Sequence, residues 1–240
     1  MNHTHISPNK TSPRSHAIDT ITIHCVVGQC YVESLGNVFA SPSKQASSNY
    51  GIGKDGRIGM YVEEKDRSWC SSSSANDNRA ITIEVASDTY EPYAVTDAAY
   101  NSLINLVTDI CKRNGIKKLV WSTDKNERVN HLNGCNMTVH RDYANKSCPG
   151  NYLYSRHGQI AAEVNKRLGT DSASDSRTDL EKMIDARIEK MLAGKDTKPS
   201  DWAKTELAEA VKAGITDGTR PGGYATREQV AAMVLRATKK

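Results

Sequence analysis

Nowhere in this 240-residue chain is there an apolar run of membrane length, which argues against stable insertion into a bilayer. The opening residues, MNHTHISPNKTSPRSH, have no apolar stretch of the kind a secretory signal carries. Long Lys/Arg blocks are missing too, and the net charge is only +4. No nucleic-acid partner is therefore expected, while a mild positive balance suits an anionic polymer. Cysteines are few: six, at 25, 30, 70, 111, 135 and 148, too sparse for a disulfide framework. Most are read as reduced, which fits a protein made in the cytosol; Cys25 and Cys135 are read as structural. With 38% apolar and 25% charged residues, the chain reads as globular, one sizeable domain plus an appendage.

Residues 1–18 are polar and punctuated by proline, and read as a solvated arm in which His3 and His5 converge on nothing. Thr20–Val27 is an apolar, β-branched strand ending near His24. Tyr31–Ala40 has helical spacing in Val32, Leu35, Val38 and Phe39. Asn49–Val62 is a hairpin turning at Asp55-Gly56, and Ala80–Ala86 is a central strand carrying Glu84. Thr96–Asn114 is a helix with Thr96 as N-cap, an apolar stripe from Tyr100 to Cys111, and Gly115 ending it. Leu119–Ser122 and Met137–Val139 read as strands around a polar loop, Thr123–Asn136, that rims a site. Leu153–Leu168 reads as one helix. The fold class is α/β, a central mixed sheet flanked by helices.

The chemistry concentrates in Met137–Gly150, MTVHRDYANKSCPG. It places an imidazole, His140, and a thiol, Cys148, on either side of a short polar segment, with Lys146 beside the thiol. Zinc favours this mix of nitrogen and sulfur donors. A third ligand is needed, and His24 is the best candidate; His131 is a rival, but it lies in a polar loop with no strand to position it. Three ligands leave one zinc position open for water, the catalytic pattern. Water held there becomes a nucleophile near neutral pH. Glu84, alone among apolar neighbours, suits the proton acceptor, or else a strand-end carboxylate paired with an arginine. Lys146 suits stabilisation of a developing oxyanion, or else is a solvated lysine.

His24 in ITIHCVVG, Glu84 in ITIEVAS and the segment VHRDYANKSCPG together resemble the type-2 zinc N-acetylmuramoyl-L-alanine amidases. That family includes many phage endolysins and the peptidoglycan recognition proteins. The hairpin SNYGIGKDGRI and the Trp69 segment extend the resemblance over about residues 19–168. It implies a zinc ion in a surface groove and cleavage of the amide between muramic acid and L-alanine in peptidoglycan. It implies His24, His140 and Cys148 as zinc ligands, Glu84 as acid/base and Lys146 as the carbonyl-stabilising residue. Tyr50 stands where some phage members carry a catalytic tyrosine, and reads either as hairpin packing or as part of the site rim. Cys70 follows Trp69 where many relatives have histidine, a departure from the pattern. The rival reading is a peptidoglycan-binding protein without catalysis; such relatives typically lose the cysteine ligand, so Cys148 favours the enzyme.

Beyond residue 169 the composition changes. Gly169–Ser176 reads as a linker, Arg177–Leu192 as a short amphipathic helix, and Asp201–Lys240 as two helices, Ala203–Ala213 and Thr226–Lys239, with Thr226 an N-cap. The last segment is similar to a single S-layer-homology motif, carried by Trp202-Ala203-Lys204, Gly214–Gly218 and Thr226-Arg227-Glu228. That resemblance implies binding to an anionic secondary cell-wall polymer, with Arg227 and Trp202 as the contact residues. Only one copy is present, so homo-oligomer formation through 177–240 is an expectation. The domain reading is 1–169 catalytic, 170–200 linker with helix, and 201–240 wall-binding. Without a signal peptide, such an endolysin is expected to accumulate in the host cytoplasm and reach the wall once the membrane opens.

Overall fold

A computed structural model describes residues 1–169, 184, 187–188, 198–219, 221–222, 225 and 227–239. Two compact units divide the chain, Met1–Asp171 and Ser172–Lys240. In the first, eight strands run in chain order: β1 (His3–Thr4), β2 (Lys10–Thr11), β3 (Thr20–Cys25), β4 (Tyr50–Ile52), β5 (Ile58–Met60), β6 (Arg67–Ser68), β7 (Ala80–Val85) and β8 (Met137–Thr138). Six form a mixed sheet in the order β1-β5-β4-β7-β3-β8. Only the β4–β5 hairpin pair is antiparallel within it; β3 runs parallel to both β7 and β8. The helices are α1 (Val32–Ala40), α2 (Ser74–Arg79), α3 (Asp97–Arg113), α4 (Lys125–Val129), α5 (Gly150–Tyr154) and α6 (His157–Leu168).

Alternation along the central strands divides the sheet into two unlike faces. In TITIHC and AITIEV, the residues Ile21, Ile23, Cys25, Ile81, Ile83 and Val85 join the apolar core with Leu103, Ile104, Val107 and Ile110 of α3 and Ile160 and Val164 of α6. Threonines 20, 22 and 82 and His24 lie on the other face and are just as buried. There the hydroxyls are matched by side chains of other strands. Thr22 shares a 2.7 Å hydrogen bond with Thr138, and Thr82 one of 2.7 Å with Ser68. One face builds stability, and the polar one is left for chemistry.

Several expectations change. Residues 1–18 are not a solvated arm. β1 pairs with β5 and β2 with β6, and the Ser7 hydroxyl and Asn9 amide donate to the Phe39 carbonyl at the end of α1. Short polar side chains here cap backbone carbonyls, as buried polar groups must. Leu119–Ser122 is no strand: the Asn165 side chain holds both backbone groups of Leu119, and Asn136 takes those of Val120. Val38 is exposed while Gly36 faces inward, and the helix read as Leu153–Leu168 breaks into α5 and α6. The polar loop 123–136 carries α4.

Among the described residues from 198 onward, the second unit carries a 3-10 turn, Asp201–Ala203, and the helices α7 (Lys204–Lys212) and α8 (Arg227–Thr238). Trp202, Val211, Val230, Val234 and Leu235 are exposed. Most of the segment 177–192 and of the linker 169–176, and the N-cap Thr226, lie outside the described residues. Among the described residues, no helix is long and apolar enough to cross a membrane.

Candidate metal centre

His24 and Glu84 are direct neighbours across the parallel β3–β7 pair, in register and on the polar face. The chain returns to this point after β8, whose pairing with β3 delivers His140 at the strand's end. His140 opens a 3-10 turn, His140–Asp142, and the loop beyond it brings Cys148 back against β3. The Cys148 sulfur lies 3.4 Å from His24 Nδ1 and accepts from the Cys25 backbone N–H at 3.5 Å. The His24 and His140 rings are 5.1 Å apart between centroids. Candidate ligand atoms of His24, His140 and Cys148 all lie within 4.8 Å of one another.

Two buried atoms in this group have no partner among the described residues, His24 Nε2 and Glu84 Oε2. Orphaned polar atoms of this kind are costly unless something binds them. Two imidazoles and one thiol are also the donor chemistry zinc takes, so the residues present fit such an ion. Burial, with His140 and His157 adding to it, holds the His24 imidazole down at about 3. His140 is lowered as well, by burial and by the Lys146 charge. Both rings are thus neutral at physiological pH, the form that ligates. Contact with the Cys25 thiol, burial and Glu84 push the Cys148 thiol well up; a cation reverses that by stabilising the thiolate. Burial, with Cys25 adding, pushes the Glu84 carboxyl up to about 8.

Lys146 is exposed on the loop between His140 and Cys148. It lines a shallow depression of about 480 Å³ together with Lys125, Arg141, Tyr143 and Asn145. Tyr50 is not brought to the group. In the β4–β7 register Tyr50 opposes Ile83 while Gly51 opposes Glu84, so the tyrosine side chain leaves the sheet on the apolar face. Its hydroxyl donates to Glu64 at 2.9 Å and receives from Arg113 at 3.4 Å. Burial and Glu64 raise its pKa, and the ring packs into the apolar core.

Three supports were not legible beforehand. Arg128 of α4 forms a buried bidentate pair with Asp142, Nε to Oδ2 at 2.9 Å and Nη2 to Oδ1 at 2.6 Å. Asp142 Oδ2 also accepts from the Val139 N–H at 3.3 Å, so the pair fixes both ends of the turn that holds His140. Ser72, at φ 63°, places its hydroxyl 3.0 Å from His140 Nε2. Asn76 receives from Thr138 and Tyr143 through its carbonyl oxygen and donates to Thr22, tying β3, β8 and the His140 loop together. The one available signal was the threonine alternation in the strands.

A family model described as N-acetylmuramoyl-L-alanine amidase matches residues 14–151. Among solved structures, a mutant of PlyL is similar at 12% identity and a TM-score of 0.51, over 68% of this chain and 98% of that one. The N-acetylmuramoyl-L-alanine amidase LysC from Clostridium intestinale URNW matches at 19% identity and a TM-score of 0.46, over 69% and 95%. The drosophila peptidoglycan recognition protein SD matches at 16% and 0.43, over 61% and 88%. No curated protein matches the sequence.

Proposed function

This chain belongs to the N-acetylmuramoyl-L-alanine amidase family, and from that premise we propose a zinc-dependent amidase whose ion is held by His24, His140 and Cys148. The family's substrate is peptidoglycan, and the bond broken joins the lactyl group of N-acetylmuramic acid to L-alanine. The observation that carries the zinc reading is the convergence of three donors beside an in-register carboxylate. When bound, zinc would polarise the scissile carbonyl and acidify water.

The chain's own groups account for the proton. The ion-free Glu84 carboxyl is held protonated at neutral pH by burial, and a nearby cation favours its carboxylate. As carboxylate, Glu84 takes the proton of the attacking water and returns it to the departing L-alanine nitrogen. Lys146, exposed beside the depression, donates to the carbonyl oxygen as negative charge develops there. Arg128 and Asp142 hold the His140 turn, so that the imidazole meets the ion without reorganising.

The second unit is proposed to bind an anionic wall polymer through Arg227, whose planar fork suits carboxylate or phosphate groups, and through Trp202, 81% exposed. The whole is read as an endolysin, accumulating in a bacterial cytoplasm and acting after the membrane opens. Zinc content measured on the purified chain tests the central site. One ion per chain is expected, with lysis of wall suspensions abolished by a chelator and restored by zinc. Full lysis by demonstrably metal-free protein contradicts the reading.

A further inference from the structure

Cys70 follows Trp69 in a serine-rich loop, and its sulfur reaches the same carboxylate that neighbours His24. The Cys70 thiol lies 3.9 Å from Glu84 Oε1. Candidate ligand atoms of His24, Cys70 and Glu84 are all within 4.8 Å of one another, the limit that His24, His140 and Cys148 also meet. Both unpartnered buried atoms of the centre, His24 Nε2 and Glu84 Oε2, belong to residues of this second set. His24 is fully buried, so its free nitrogen has no access to bulk water.

We propose that His24, Cys70 and Glu84 form an alternative seat for a thiophilic divalent cation, one that withdraws Glu84 from proton transfer. Nitrogen, sulfur and carboxylate oxygen are all donors that zinc, cobalt and cadmium accept. Binding releases the Cys70 proton to solvent and leaves a thiolate on the ion. Because His24 is common to both sets, the two arrangements compete for it. An ion in the second seat ties up the carboxylate that the amidase reaction requires. The inhibitory consequence rests on the reading of Glu84 as proton acceptor, whereas the binding does not.

Cobalt serves as the probe, since cobalt–thiolate charge transfer reports sulfur ligation without any substrate. The full chain carrying Cys148→Ser is titrated with cobalt, alongside the Cys148→Ser/Cys70→Ser double variant, with folding of each verified by circular dichroism. The single variant is expected to keep a thiolate band of about one sulfur, and the double variant to lose it. Absence of the band in the folded single variant overturns the proposal, and so does its survival in the double variant, which assigns the sulfur to one of the four remaining cysteines, 25, 30, 111 or 135. A second measurement uses the chain with Cys148 intact. Cadmium added to protein holding one equivalent of zinc is expected to inhibit it, because cadmium in the second seat takes the shared His24 from zinc, and Cys70→Ser is expected to abolish most of that fractional inhibition. Equal fractional inhibition in both proteins overturns the proposal. A native chain with no amidase activity even at one equivalent of zinc indicts the functional reading instead, leaving the cobalt result to judge the seat.

Discussion

Replacing Arg128 by methionine probes how the fold holds His140 in place. Arg128 and Asp142 are 2% and 5% exposed, and two hydrogen bonds join them. A third runs from Arg128 Nη1 to the Ser122 carbonyl at 2.8 Å. The guanidinium also stacks over Trp121, 4.6 Å from the ring centroid. Methionine keeps the apolar stem and much of the volume, so the loss is mainly electrostatic. It strands the Asp142 carboxylate in the interior, and breaking a buried pair from one side costs about 3–5 kcal/mol. The lost stack, about 1–2 kcal/mol, is contained in that range rather than added to it. Urea denaturation of the full chain, followed by tryptophan fluorescence, should show the drop in the transition that reports the first unit. Adding Asp142→Asn removes the stranded charge while keeping an acceptor for the Val139 N–H. The double variant should therefore recover more than about 1 kcal/mol of the loss. Zinc affinity should fall about 10- to 100-fold in Arg128→Met, because the pair orients a ligand. A single variant destabilised by less than about 1 kcal/mol, with unchanged zinc affinity, would refute the reasoning.

Further outcomes separate the roles of the remaining residues. Glu84→Gln should retain zinc yet lose muropeptide turnover by roughly 10²–10⁴-fold, whereas Tyr50→Phe, on the opposite sheet face, should stay within a few-fold of the native rate; the reverse ranking would exchange their assignments. His157 is fully buried and held at about 4 by burial, against 6.5 when free. The unfolded chain therefore takes up a proton there that the folded chain refuses. Its stabilising effect is complete above about pH 6.5 and is lost as pH falls towards 4, by at most about 3 kcal/mol. His157→Gln should flatten that part of the stability profile, and an unchanged profile would show that other groups govern it. Arg227→Ala should weaken sedimentation with intact walls while leaving turnover of soluble muropeptide unchanged; unaltered wall binding would remove Arg227 from the interface.

Local chemistry made much of the catalytic unit legible in its sequence. The alternation in TITIHC and AITIEV marks the central strands, and the Thr96 cap and Gly115 stop delimit α3 within a residue. His140 and Cys148 were visible because their residue types are uncommon together at that spacing. What escaped is set by contacts distant in sequence. The amino-terminal 18 residues look solvated by composition, yet their polar groups cap carbonyls some 30 residues away. Leu119–Ser122 has strand-like residues, but the Asn165 side chain and the side chain and backbone N–H of Asn136 satisfy the Leu119 and Val120 backbone in place of a ladder. Motif position carries no information on the sheet face that the Tyr50 ring takes; the β4–β7 register decides that. The Arg128–Asp142 pair joins α4 to the His140 turn 14 residues further on, and no periodicity announces it.

The bond that is cut defines the activity. Purified peptidoglycan digested by the full chain, with products resolved by mass spectrometry, reads it directly. The prediction is release of stem peptides that begin with a free L-alanine amine, leaving glycan strands with unsubstituted lactyl carboxyls, and no such release by Glu84→Gln. Products cut within the glycan or inside the stem peptide, or no products from zinc-loaded protein, would contradict it.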